Sequence, residues 1–192
     1  MDTATRPRYA WKASRWAKVE RMVVKLQKRM YRAAPRGATT PVRRLQNLLW
    51  RSRAAKLIAI RQVTQDNRGK GPAGVDGQTA LTPAGRLALV EERKRDGQAQ
   101  PGRRVMIPNP SGTEPRPWGS PTIADRATQR VVTLALAPAW EAKCEPNSDG
   151  FRPGRSTWEA IGASDVQINQ KPTWVLEADS ATGVDRIDHA AL

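Results

Sequence analysis

Residues 11–33 admit one regular conformation. Trp16, Val19, Val23, Leu26 and Met30 recur at steps of three, four, three and four. That rhythm places them on one face of an α-helix and on no face of a strand, whose side chains alternate every second residue. Lys18, Arg21, Lys25, Lys28 and Arg32 repeat the same rhythm two positions later. Two residues turn a helix by about 200°, so the cations stand opposite the apolar stripe. Glu20 is the one acid in the segment. The apolar stripe reads as core packing. A solvated face ordinarily carries both signs of charge, so the basic stripe asks for a partner.

The same pattern follows once more. Pro35-Arg36-Gly37 ends the first helix. Thr40-Pro41 has the form of an N-cap followed by proline at the first helical position. The spacing predicts a second helix from there to about Thr64, with Leu45, Leu48, Leu49, Leu57 and Ile58 apolar and Arg43, Arg44, Arg51, Arg53 and Arg61 exposed. Two antiparallel helices with basic outer faces fit an RNA backbone. The glycine-rich stretch 66–78 marks a boundary between a basic helical domain, 1–70, and a second region, 71–192. It lacks the GxxxxGK[ST] order of a phosphate-cradling loop.

In the second region Thr82-Pro83 opens a helix to about Arg95. Arg103 to Pro108 and the segment from Arg116 read as a hairpin around the turn Asn109-Pro110-Ser111-Gly112. Residues 122–143 read as a helix that Pro138 kinks or interrupts. A loop, 147–156, precedes a short helix from about Thr157. A strand, Trp174-Val175-Leu176-Glu177-Ala178, then delivers Asp179, with Asp185 six positions on. A carboxylate at a strand tip is how many phosphoryl-transfer enzymes present a ligand to Mg²⁺.

Charge is distributed unevenly. Of a net +15, residues 1–70 hold nineteen Lys and Arg against three acids, and residues 71–192 hold fourteen against fifteen. All the excess lies in the first third, which favours a polyanion such as RNA. Cys144 is the single cysteine, so no internal disulfide forms, as suits a reducing, cytoplasmic setting. No apolar run approaches the roughly 20 residues of a membrane span, and Met1 to Tyr9 lack the apolar core of a secretory signal.

Five collinear blocks carry a resemblance: 44–77, RLQNLLWRSRAAKLIAIRQVTQDNRGKGPAGVDG; 103–112, RRVMIPNPSG; 116–129, RPWGSPTIADRATQ; 134–156, LALAPAWEAKCEPNSDGFRPGRS; and 174–192, with WVLEAD and DRIDHAAL. In order and spacing the chain resembles the N-terminal portion of bacterial group II intron reverse transcriptase/maturases. The resemblance implies an α+β fold, with a helical N-terminal extension followed by part of the fingers and palm of a right-hand polymerase. It implies RNA-templated DNA synthesis with two Mg²⁺ ions, and binding of the enzyme's own intron RNA. Asp179 falls at the family's metal-ligand position, and the Ser180 backbone carbonyl would lie beside the same ions. Arg116 falls where the family holds the triphosphate of the incoming nucleotide, work suited to a guanidinium. For Arg152 and Arg155, in the FRPGRS block, template contact and loop packing both remain open. His189 reads as a polar helix-start residue.

The sequence departs from the family pattern at functional positions. Asn109 replaces a lysine, Ser120 an isoleucine and Asp149 a tyrosine. Ser180-Ala181-Thr182-Gly183-Val184 lacks the bulky apolar residue and the aromatic that the family carries there. The later palm strand with its paired aspartates does not follow. The expectation is therefore a fragment or a decaying copy that binds RNA without polymerising alone, its palm completed, if at all, by a second polypeptide. The alternative is a stand-alone, non-catalytic RNA-binding or RNA-chaperone module.

Overall fold

The computed structural model describes residues 11–67, 71–79, 81–92, 99–108, 115–170, 174, 176–178 and 188. The class is α+β. The chain divides into two compact units, Met1–Cys144 and Glu145–Leu192.

In the first unit, α1 spans Trp16–Ala33. Its apolar stripe turns inward as the rhythm requires: Val23 and Met30 are buried, and Trp16, Val19 and Leu26 half-buried. One 3₁₀ turn, Ala34–Arg36, follows and ends at Gly37, whose φ of 69° is left-handed. A residue with a Cβ resists that conformation, so the helix stops here and the chain reverses.

The second expected helix is two. α2 runs Thr39–Arg51 and α3 runs Arg53–Arg61, with Ser52 between them in an extended conformation (φ −70°, ψ 127°). The start also differs: the cap position is Ala38, with no side-chain cap, and Pro41 sits third in the helix. It is tolerated there because the first four N–H groups have no intrahelical partner. Phase explains the break. A straight continuation of the Leu45–Leu49 face would carry Ser52, Arg53 and Lys56 into the core. Breaking at Ser52 rotates α3 so that Ala54, Ala55, Leu57, Ile58, Ala59 and Ile60 are buried instead. A single wide turn, Gln62–Asp66, closes α3.

α4 spans Pro83–Glu92, and the Thr82 hydroxyl accepts from Gly85 N at 3.1 Å as an N-cap. β1 (Arg103–Ile107) and β2 (Arg116–Ser120) form the expected antiparallel hairpin, with Val105 opposite Trp118. α5 spans Ile123–Glu141. Thr122 caps it, accepting from Asp125 N at 3.1 Å and donating to Asp125 Oδ2 at 2.7 Å.

Pro138 does not interrupt α5. Proline has no N–H, so the carbonyl of Leu134, four residues earlier, loses its helical donor. Gln27 Nε2 on α1 supplies one at 3.0 Å.

The core crosses residue 70. Val23 and Met30 of α1, Leu45 and Leu49 of α2, Ala55 and Ile58 of α3, and Val131, Leu134 and Ala135 of α5 form one buried cluster. A second cluster joins Trp11, Leu57, Ile60, Leu87, Val90 and Ala127. Within the glycine-rich stretch Gly74 is buried against the start of α5. A Cβ on Gly74 would stand 2.7 Å from the Thr122 Cα, and Arg126 donates to the Pro72 carbonyl.

In the second unit, α6 (Thr157–Gln170) has no buried residue. The expected strand at 174–178 is a correction: its described residues, Trp174 and Leu176 to Ala178, are not in a strand. A strand needs a neighbour for its backbone groups, and the sheet among the described residues is the hairpin alone. No described helix is long and apolar enough to cross a membrane.

Candidate nucleic-acid interface

The basic stripe of α1 is where the rhythm put it: Lys18, Arg21, Lys25, Lys28 and Arg32 are all exposed. α2 adds Arg43, Arg44 and Arg51, also exposed. The seam between α1 and α2–α3 is a groove in two parts. The first, about 460 Å³, is lined by Arg15, Lys18, Val19, Met22, Arg53 and Leu57 among others. The second, about 390 Å³, is lined by Met22, Lys25, Leu26, Arg29, Leu48, Arg51 and Ser52. Met22 belongs to both, so they adjoin, and among the described residues no acid lines either.

Two of the predicted arginines are occupied within the protein. Arg53 pairs with Glu91 at 3.0 Å. Arg61, half-buried, pairs with Glu20 at 3.0 Å and Asp66 at 3.4 Å, and its guanidinium lies 4.9 Å from the centre of the Trp16 ring. Trp16 in turn meets Trp11 edge-on at 4.9 Å. Trp11 donates to Gln65 at 2.9 Å and Arg130 to Gln62 at 2.6 Å, so the wide turn after α3 is tied from several sides.

Sequence reasoning missed Arg15 and Arg29. The signal was present: Arg15, Lys18, Met22, Lys25 and Arg29 recur at three, four, three and four, a row lying between the two stripes that were singled out.

Two further predicted arginines, both in the second unit, are engaged locally. Arg152 donates to the carbonyls of Glu145 at 2.5 Å and Ser148 at 2.7 Å. Arg155 donates to the Pro146 carbonyl at 3.1 Å and pairs with Asp149 at 3.5 Å. Both arginines knit their own loop, and the unusual Asp149 finds its countercharge there. Arg116 stands in β2 opposite Ile107. Asp179 and Ser180 lie outside the described residues, as do Asn109 and His189. Among the described residues no group of three or more His, Cys, Asp or Glu could hold a metal ion.

Comparison with known proteins agrees with the order of the blocks. A family model described as the N-terminal domain of reverse transcriptase matches residues 11–92. A second, described as reverse transcriptase (RNA-dependent DNA polymerase), matches residues 107–192. The group II intron-encoded protein LtrA of Lactococcus lactis subsp. cremoris is 30% identical over 129 residues, covering 66% of this chain and 21% of that protein. The chain belongs to the group II intron reverse transcriptase/maturase family. Maturase-like protein 1 of Euglena gracilis is 32% identical over 142 residues, covering 71% of this chain and 30% of its own length. Protein YkfC of Escherichia coli (strain K12) is 34% identical over 172 residues, covering 81% and 43%. The chain thus spans less than half of each relative. The two matches leave residues 93–106 between them, a stretch that includes most of β1.

Proposed function

We propose that this chain binds RNA, either the RNA of a group II intron or a template strand, through the exposed cations of α1 and α2, in a cytoplasmic, nucleic-acid-associated setting. The supporting observation is the acid-free groove along α1, with Lys18, Lys25, Arg29 and Arg51 making no ion pair among the described residues. Cations on such a surface release the counterions condensed along the phosphates, so affinity falls steeply with salt. Family membership supplies the polyanion: LtrA is by name encoded by a group II intron.

Polymerisation is not assigned to these residues alone. The segment after Asp179, Ser180 to Val184, lacks the aromatic that the family presses against the incoming sugar. Mg²⁺ chemistry would rest on Asp179, with the Ser180 carbonyl beside it, and the described residues supply no further metal-binding cluster.

A filter-binding titration of the purified chain against a group II intron RNA tests the reading. A steep fall of log affinity with log salt is expected, and a slope near zero rejects the basic-face interface. Primer extension on an RNA template by the same material, with no added subunit, would reject the non-catalytic part.

A further inference from the structure

The groove along α1 differs from a plain basic face in its floor, which is apolar and open. Met22 is 52% exposed and Leu48 54% exposed, and half-buried Val19 and Leu26 continue the same surface. The rims are cationic: Arg15, Lys18, Lys25 and Arg29 on α1, with Arg51 across the seam. Fourteen residues of helix separate Arg15 from Arg29, or about 21 Å along the groove.

Leaving apolar side chains in water is unfavourable, and a ligand that covers them gains that energy back. An A-form duplex cannot do so. Its base faces are stacked inside, and it offers phosphates and 2′-hydroxyls to a protein. An unpaired strand offers both kinds of surface at once, phosphates for cationic rims and base faces for an apolar floor. An acidic amphipathic helix would match the charges too, but the family matched by the chain is one of RNA-dependent DNA polymerases, for which the polyanion at hand is RNA.

Resting on the RNA-binding reading of this face, we propose that the α1 groove takes an unpaired polynucleotide strand, with phosphates along the rims and bases turned onto Met22 and Leu48. Duplex RNA is then held only by the outer cations, and less tightly.

Fluorescence anisotropy on the whole chain tests this with three probes of equal length: an unstructured RNA strand, a DNA strand of the same sequence, and a blunt RNA duplex. Each is measured against the native chain and a Met22→Ser/Leu48→Ser variant. Both side chains are about half exposed, so the variant keeps its core, and circular dichroism checks that it folds. The expected result is at least a tenfold preference for the unpaired RNA over the duplex. The variant should lose at least fivefold on the strand while its duplex binding and its salt slope stay unchanged. A DNA strand that binds as well as RNA supports the proposal and places recognition on phosphate and base; a weaker one supports it and adds the 2′-hydroxyl. Equal binding of strand and duplex, an unchanged variant, or displacement of the strand by an acidic helical peptide of equal charge at equal concentration would overturn it while leaving salt-dependent RNA binding intact. No salt-dependent binding of any probe would overturn both readings.

Discussion

On one flank of α1, Arg61 is held by Glu20 at 3.0 Å and Asp66 at 3.4 Å and lies over the Trp16 ring. On the other flank, Lys18, Lys25, Arg29 and Arg51 edge a groove that no acid lines among the described residues. All five side chains count alike in a tally of net charge. What separates them is where the few acids of the first third fall. Glu20 and Asp66, two of three, both stand on the Arg61 side. That flank spends its polar groups on the fold, and the groove flank leaves them for a ligand.

Removing the groove cations gives the largest effect. Replacing Lys18, Lys25, Arg29 and Arg51 together by Gln should lower RNA affinity by about a hundredfold or more near physiological salt and reduce the log-log salt slope by roughly one per phosphate contact removed. Thermal stability should hardly change, because these side chains are exposed and make no ion pair among the described residues. A filter-binding titration with a melting curve measures both, and an unchanged slope would erase the distinction between the flanks.

Arg61→Gln is the mirror experiment. Its two ion pairs are partly exposed, with the arginine side chain 33% accessible and its partners 53% and 48%, so each contributes well under about 1 kcal/mol. The contact with Trp16 adds roughly 0.5–1 kcal/mol. The expected cost is about 1–2 kcal/mol in denaturant unfolding, with RNA affinity altered less than twofold. A large loss of affinity at unchanged stability would move Arg61 to the ligand side.

Much of this was legible in the chain. The period of α1 fixed its buried and exposed faces because side-chain direction in a helix depends only on spacing, and the hairpin, the Thr82 cap and the start of α5 followed from local chemistry. The break at Ser52 was not legible, since serine is compatible with a continuing helix and only the shared core, with Ala54 and Ala55 turned inward, decides the phase. The strand read at Trp174 failed for a related reason. Its apolar run describes a segment that wants a sheet, and pairing is supplied by other strands and not by the run itself. For the site, the stripes led to the correct helix face but not to Arg15 and Arg29, because a row facing a groove mixes cations with Met22 and so looks like neither stripe. Nothing in the spacing of Arg53 or Arg61 announces that Glu91, Glu20 and Asp66 will reach them.

The smallest effect probes the same fold-bearing flank two turns along. Gln27 donates to the Leu134 carbonyl at 3.0 Å, the acceptor that Pro138 leaves without its helical partner. Gln27→Leu should therefore cost about 1 kcal/mol, the typical net value of an intramolecular hydrogen bond. Pro138→Ala restores an N–H to the same carbonyl and should itself shift stability little. In the Pro138→Ala background the cost of Gln27→Leu should shrink to a few tenths of a kcal/mol, because the carbonyl is then satisfied from within α5. The double-mutant cycle isolates that coupling. Additive costs would mean that the side chain and the proline do not act on the same oxygen, and the contrast between a flank that serves the fold and one that serves a ligand would then rest on Arg61 alone.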